Sequence, residues 1–173
     1  MTNQPIAFRY DVCPDDREAV RRLVESTGVF SSVEIEVAVE LVDDRLQRGG
    51  QSDYHFVFAE EGGRTVGYAC YGRIALTAAS FDLYWIAVDK TMHGRKIGRL
   101  LLEKSEELIR EMGGRQVYIE TSNRQHYAPT RGFYLRCGYR QEALLKDFYA
   151  PRDDKVIYVK TLGLRAQGSG AKD

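Results

Sequence analysis

The sequence predicts a single α/β domain, and three observations carry that reading. Segments of strand and helix periodicity alternate along the chain, two pairs of strand-like segments are joined by turn signals, and a nearly continuous apolar strand runs directly into an amphipathic helix. The length of 173 residues suits one domain with a sizeable core, expected over residues 1–162, with a polar, Gly-rich and flexible tail over 163–173.

The elements follow in order. Ile6 to Val12 reads as a strand, after which Asp15-Asp16 opens a helix carrying Val20, Leu23, Val24 and Thr27 on one stripe. Ser31 and Glu34 form a capping box for a second helix, whose Ile35, Ala38, Val39, Val42 and Leu46 repeat until Gly49-Gly50 stops it. Asp53 to Glu60 and Arg64 to Leu76 are rich in β-branched and aromatic residues and flank Glu61-Gly62-Gly63, the signature of a hairpin. Phe81 to Val88 is apolar nearly throughout, as a central strand covered on both faces must be. A helix from about Gly98 to Met112 turns Leu101, Leu108, Ile109 and Met112 inward, and Gly113-Gly114 ends it. Gln116 to Thr121 is the next strand. Pro129 suits the first position of a helix that runs to Cys137 and stops at Gly138. Arg140 to Tyr149 and Val156 to Leu162 close the chain as a hairpin around Pro151-Arg152-Asp153-Asp154.

Composition narrows the function. With 43% hydrophobic and 29% charged residues the chain is neither disordered nor collagen-like. Lys+Arg and Asp+Glu are both 25, so no global field favours nucleic acid or an anionic membrane as partner. The apolar runs are far short of a membrane span, and Met1-Thr2-Asn3-Gln4 does not open a signal peptide, which leads to a cytoplasmic expectation. Cys13, Cys70 and Cys137 are too far apart for a CxxC motif and read as reduced core thiols; no metal is expected.

The most informative segment joins the apolar strand to its helix. A helix N-terminus exposes unpaired N–H groups and the positive end of the macrodipole, and here it carries Gly94 and Gly98 with His93, Arg95, Lys96 and Arg99 around them. Such a loop suits a diphosphate. It contains neither GxxxxGK[ST] nor GxGxxG, which argues against a nucleoside-triphosphate or dinucleotide module, while a solvated turn capping a helix remains the plain structural alternative.

In its order of core strand, basic Gly-containing loop and helix, the chain resembles the GNAT superfamily of acetyl-CoA-dependent N-acyltransferases. The loop pattern [QR]-x-x-G-x-[GA] aligns with His93-Gly94-Arg95-Lys96-Ile97-Gly98; His93 stands where Arg or Gln is usual and Lys96 where the first Gly is usual. Tyr134-Leu135-Arg136-Cys137-Gly138-Tyr139 is similar to the family's Y-x-x-x-G-[FY] segment. The resemblance covers roughly Phe56 to Leu162. It implies a mixed, mostly antiparallel central sheet flanked by helices and, as co-substrate, acetyl-CoA, whose acetyl group passes by direct attack to a primary amine. It places pyrophosphate contacts at Gly94, Arg95, Lys96, Ile97, Gly98 and Arg99, pantetheine pairing on the strand edge Ile86, Ala87 and Val88, and the acid for the departing thiolate at Tyr134. Family members often form dimers through their last strands, so a homodimer is one assembly it implies.

The base comes from the residues themselves. Glu120 is an acidic side chain amid Val117, Ile119 and Thr121, where partial burial would raise its pKa; Asp82 and Tyr84 are rivals acting through water. Asn123, His126 and Tyr127 lie in the loop before the tyrosine helix, where the family places CoA contacts. Tyr127 holds the place where the family often has Asn, and that role is not carried over; His126 reads as a surface side chain and His55 as structural. Tyr71, Tyr84, Trp85, Phe148 and Tyr149 are candidates for an acceptor pocket, and Asp153 and Asp154 for a solvated acidic turn. The acceptor expected is a small-molecule amine or amino acid. The competing reading is a non-catalytic acyl-CoA-binding domain, which would need the loop and the strand edge but neither acid nor base.

Overall fold

The computed structural model describes residues 5–163, so the expected tail lies, beyond Gly163, outside the described residues. Seven strands form one sheet in the order β1-β2-β3-β4-β5-β7-β6: β1 (Ala7–Arg9), β2 (His55–Glu61), β3 (Arg64–Arg73), β4 (Ser80–Val88), β5 (Gln116–Ser122), β6 (Arg140–Ala150) and β7 (Asp153–Thr161). Every neighbouring pair is antiparallel except β4 with β5. The mixed, mostly antiparallel sheet expected from the sequence is therefore present. No helix among the described residues is long and apolar enough to cross a membrane.

Strand alternation sorts the core into two layers. Along β2, Phe56 and Phe58 face helices α1 (Asp16–Thr27) and α2 (Ser32–Arg48), while Val57 and Ala59 face α3 (Ile97–Glu111). Val20, Leu23, Val24, Ala38, Val39 and Val42 cover the first face; Ile97, Leu101, Leu102 and Ile109 cover the second. The capping box forms as the sequence predicts, with the Ser31 hydroxyl accepting from the Glu34 amide and the Glu34 carboxylate accepting from the Ser31 amide. The β2–β3 turn places Gly62 and Gly63 at φ of 59° and 77°, the left-handed pair that a two-residue hairpin requires. Gly67 on β3 lets α3 approach: a Cβ there would stand 3.0 Å from the Leu101 Cδ1 and 3.1 Å from the Ala87 carbonyl oxygen.

Several boundaries differ from the sequence reading for identifiable reasons. β1 has only three residues, since Arg9 turns its guanidinium onto Asp16, at 2.7 and 2.9 Å, and onto Glu60, at 2.7 Å, which ties the strand to the start of α1. β3 ends at Arg73 because Ile74 donates to the Ser80 carbonyl and Thr77 folds back on Ile74. Helix α4 (Ala128–Arg136) carries Pro129 at its second position. β7 begins at Asp153, so the last turn consists of Pro151 and Arg152, with Arg152 at φ of 65°. Cys70 is buried in the core as expected, Cys137 is half-buried, and Cys13, read as a core thiol, is exposed beside the start of α1.

The parallel β4–β5 pairing covers only Ser80, Phe81 and Asp82 against Gln116, Val117 and Tyr118. Beyond it the strands part, each held by its outer neighbour. A bulge at Tyr84, where Cys70 pairs with Trp85 and Tyr71 with Leu83, adds one residue to β4 at the point of separation. Leu101, fully buried where α3 crosses β3, fixes the helix above this opening. Leu101→Ala is expected to lower stability by about 2–5 kcal/mol, read as a reduced urea midpoint with unchanged slope; a loss below about 1 kcal/mol would show that the helix is not anchored there.

Candidate active site

The gap between β4 and β5 opens a cleft of about 1240 Å³ that runs from the N-terminus of α3 to the α1–α2 loop. Its walls come from β4, the loop before α3, the end of β5, α4 and Tyr149 and Asp153 of the last hairpin.

At one end lies the anion-binding loop. Asp89, only 5% exposed, accepts from the amide and hydroxyl of Thr91 and from Arg64 at 2.7 Å, and these donors hold its carboxyl below the usual range. A 3-10 turn over Lys90–Met92 follows, and His93 Nε2 closes the loop against the Val88 carbonyl at 3.1 Å. Gly94 and Lys96 take φ of 82° and 62°. Lys96 thus adopts the left-handed backbone that glycine supplies at lower cost, and it caps α3 in that conformation. The first intrahelical bond runs from the Leu100 amide to the Lys96 carbonyl, which leaves the amides of Ile97, Gly98 and Arg99 without an acceptor among the described residues. Lys96 and Arg99 line the cleft, with Arg136 of α4 beside them. Arg95 does not join them. Its guanidinium closes on the two Glu61 oxygens at 2.6 and 3.1 Å, so only its backbone can serve an anion.

The middle of the cleft is the exposed edge of β4. Asp89 N–H bonds to Val66 of β3, and strand alternation then turns the peptide groups of Ala87 toward β3 and those of Val88 and Ile86 toward the gap. Of the three edge residues predicted, two present hydrogen-bonding groups to the cleft, while Ala87 belongs to the ladder and buries its side chain under α1 and α2. Tyr134 stands opposite on α4, 5% exposed, packed against Tyr139 and Tyr158 at ring separations of 6.0 and 6.1 Å. Burial pushes its phenol well above the ordinary value, so it keeps its proton throughout the physiological range. No described group hydrogen-bonds its hydroxyl, and the residue lines the cleft.

The far end is acidic and aromatic. Glu34, Glu120 and Asp153 line it together with Phe30, Tyr84, Trp85, Tyr127 and Tyr149, against Arg124 on the lining and Lys155 paired to Glu120. Phe30 meets Trp85 edge-on at 4.8 Å, and Tyr127 reaches across to the Val29 carbonyl at 3.4 Å. Glu120 is not the partly buried carboxylate expected: it is exposed and accepts from Lys155 Nζ at 2.5 Å. Asp82, half-buried on the same face, is pushed up to about 6, first by burial and then by the charge of Glu120, with Lys155 acting in the opposite direction. Burial likewise raises Tyr84 and Tyr149 to about 12. Of the five aromatic residues proposed for an acceptor pocket, Tyr84, Trp85 and Tyr149 line the cleft. Tyr71 is instead a core residue stacked on His55 at 5.4 Å, and Phe148 lies under Lys155, 3.8 Å from its ammonium.

Asp153 overturns the expectation of a solvated turn. It is 7% exposed, accepts from Ser122 Oγ at 2.5 Å and from Arg124 Nε at 3.0 Å, and faces the cleft. Asp154 caps the hairpin through the Asp147 amide and Asn123. His126 is exposed, as read, and also lines the cleft, its ring tilted against Tyr127 at 4.4 Å. Arg136, Phe30 and Glu34 also line the cleft and were not read from the sequence as site residues. Arg136 sits inside the tyrosine segment and carried the signal; Phe30 precedes a helix cap and reads as an ordinary staple.

Comparison with known proteins places these features in a family. The model of the acetyltransferase (GNAT) domain matches residues 52–141. A Desulfovibrio desulfuricans protein assigned to the GNAT family of acetyltransferases is 48% identical, with a TM-score of 0.90 over 92% of this chain and 100% of that one. N-alpha-acetyltransferase RimI of Mycobacterium tuberculosis is 33% identical over 96 residues, 55% of this chain and 58% of that protein, a little over half its length. PaiA N-acetyltransferase of Thermoplasma acidophilum, solved in complex with coenzyme A, shares the fold at a TM-score of 0.70 and 20% identity over 92% of this chain and 100% of that one.

The raised pKa of Asp82 has a consequence for stability. A carboxyl whose folded value exceeds its unfolded value stabilises below the unfolded pKa near 4, and that contribution is lost as pH rises through about 6. With solvent screening of a half-exposed group, the loss is about 1 kcal/mol. Asp82→Asn should therefore gain about 1 kcal/mol over the parent between pH 4 and pH 7.5, measured by urea unfolding at both; an unchanged difference would mean that Asp82 ionises normally.

Proposed function

The chain belongs to the GNAT family of acetyltransferases, and from that premise we propose that it transfers the acetyl group of acetyl-CoA to a small primary amine or amino acid. The observation that carries the reading is the polarity of the cleft: cationic side chains and free helix amides at one end, three carboxylates among aromatic rings at the other, and an open strand edge with Tyr134 between them. A diphosphate fits the first end and a protonated amine the second.

Acetyl-CoA supplies the activated thioester. The amides of Ile97, Gly98 and Arg99, with the side chains of Lys96, Arg99 and Arg136, hold its pyrophosphate, and Arg95 contributes backbone alone. The peptide groups of Ile86 and Val88 pair with the amide-bearing arm, and an N–H of that edge faces the carbonyl oxygen as it gains charge. Glu34, Glu120 and Asp153 draw the ammonium form of the acceptor into the aromatic end. The Glu120–Asp82 pair takes the proton that the amine must lose, Glu120 directly or Asp82 through water. The amine nitrogen then forms the C–N bond while the C–S bond breaks, Tyr134 gives its proton to the departing sulfur, and the second proton that the nitrogen sheds as the amide forms returns through water to the Tyr134 oxygen.

Two measurements test this. Calorimetric titration is expected to give saturable binding of acetyl-CoA with ATP silent, and Tyr134→Phe to leave that affinity within about twofold while kcat falls about 10- to 100-fold. Equal turnover by Tyr134→Phe would remove it as the acid. In the pH–rate profile of kcat/KM, either Glu120→Gln or Asp82→Asn should abolish the acidic limb, and a limb near pH 6 belongs to Asp82. If both variants keep the limb, the base lies elsewhere. The acceptor panel includes a peptide with a free N-terminus; turnover of the peptide alone, with small amines silent, would transfer the reading to protein α-amines.

A further inference from the structure

A buried polar cluster joins the phosphate-binding helix to the segment that carries Tyr134. Glu106 of α3 is 2% exposed on a helix whose other carboxylates face outward. Lys160 of β7 donates to its two oxygens at 3.0 and 2.8 Å and to the Cys137 carbonyl at 2.9 Å, so all three ammonium protons have acceptors. The Tyr139 hydroxyl donates to the same Glu106 at 3.0 Å. Arg110 approaches it more loosely, at 3.8 Å.

Both branches of this cluster end on Tyr134. Its carbonyl accepts from the Cys137 amide and from the Tyr139 amide, each at 3.1 Å, and its ring rests against the Tyr139 ring. Gly138, at φ of 87°, turns the chain over the Lys160 stem, where a Cβ would sit 3.7 Å from Cε. The end of α4 is closed by the Gly138 amide on the Leu135 carbonyl and the Tyr139 amide on the Tyr134 carbonyl, and the Lys160–Glu106 pair ties that end to α3.

An ion pair between buried Glu106 and part-buried Lys160 is a poor source of net stability, because desolvation offsets much of its attraction, but the hydrogen bonds from Lys160 and Tyr139 give it a defined geometry. We propose that Lys160, with Glu106 and Tyr139, is a positioning group that sets the Tyr134 hydroxyl at a fixed place relative to the α3 N-terminus, and so relative to the sulfur of the bound thioester. The inference rests on the reading of Tyr134 as the acid. Lys160 does not line the cleft and acts through the tyrosine.

A double-mutant cycle separates this role from general support of the fold. Lys160→Met is expected to lower kcat about tenfold, with acetyl-CoA affinity by calorimetry within about twofold; in a Tyr134→Phe background the same change should cost less than about twofold, because the group it positions is gone. Tyr139→Phe, which removes one oxygen and keeps the packing, should show the same non-additivity with a smaller loss, and it serves if Lys160→Met does not fold. An equal loss in both backgrounds, or a loss that falls on acetyl-CoA affinity, would overturn the positioning role. Unchanged turnover by Tyr134→Phe alone would instead overturn the acid assignment on which it stands.

Discussion

The rest of the structure depends on a parallel strand pairing that stops after three residues. β4 is bound to β3 and β5 to β7 along nearly their full lengths, while β4 and β5 share only Ser80–Gln116, Phe81–Val117 and Asp82–Tyr118. Sheet twist drives the two halves apart beyond that point, and the extra residue at Tyr84 lets β4 follow β3 without dragging β5. The separation leaves the peptide groups of Ile86 and Val88 without strand partners, and the Val88 carbonyl is met instead by His93 Nε2. It also sets α3, which starts where β4 ends, with its first turn aimed into the opening.

Charge is arranged around that opening by pairing as much as by placement. The loop before α3 is dense in cations, yet Arg95 is taken up by Glu61, His93 by the Val88 carbonyl and Arg99 Nε by Glu103 at 2.8 Å, so the field at the helix N-terminus comes from Lys96, Arg136 and the dipole, with Arg99 partly neutralised. At the other end, Lys155 donates to Glu120 beside Asp82, and burial first, then the charge of Glu120, hold the Asp82 proton to about pH 6. Lys155 acts on Asp82 in the opposite direction, so a change at this lysine should be felt there.

Most elements were legible in the sequence because their signals were local. The Ser31–Glu34 box, the Gly62-Gly63 turn and the stripe on α1 each depend on neighbours within a few positions, and each formed as read. What escaped depends on contacts distant in sequence. Glu106 looks like one more polar residue on an amphipathic helix until Lys160, 54 positions away, is brought against it. Asp153 looks like a turn residue until Ser122 and Arg124 supply donors that make burial affordable. Tyr134 and the loop around Gly98 were singled out by their pattern, and both line the cleft; Arg136 and Glu34 were not singled out for it, because charged residues on helices have solvent or a cap as their ordinary explanation.

Lys96 shows how a departure from a motif is absorbed. At a position where glycine is usual, the chain still adopts φ of 62°, at a cost of about 1–2 kcal/mol. The conformation is imposed from both sides: Asp89 and Thr91 fix the start of the loop, and the buried Ile97 fixes the first turn of α3. With the backbone set by its neighbours, the side chain at 96 is free to be something other than hydrogen, and a lysine there puts a positive charge on the cleft beside the free amides. The strain and the charge are two consequences of one substitution, and in a site that holds a diphosphate the second offsets the first when the ligand is bound.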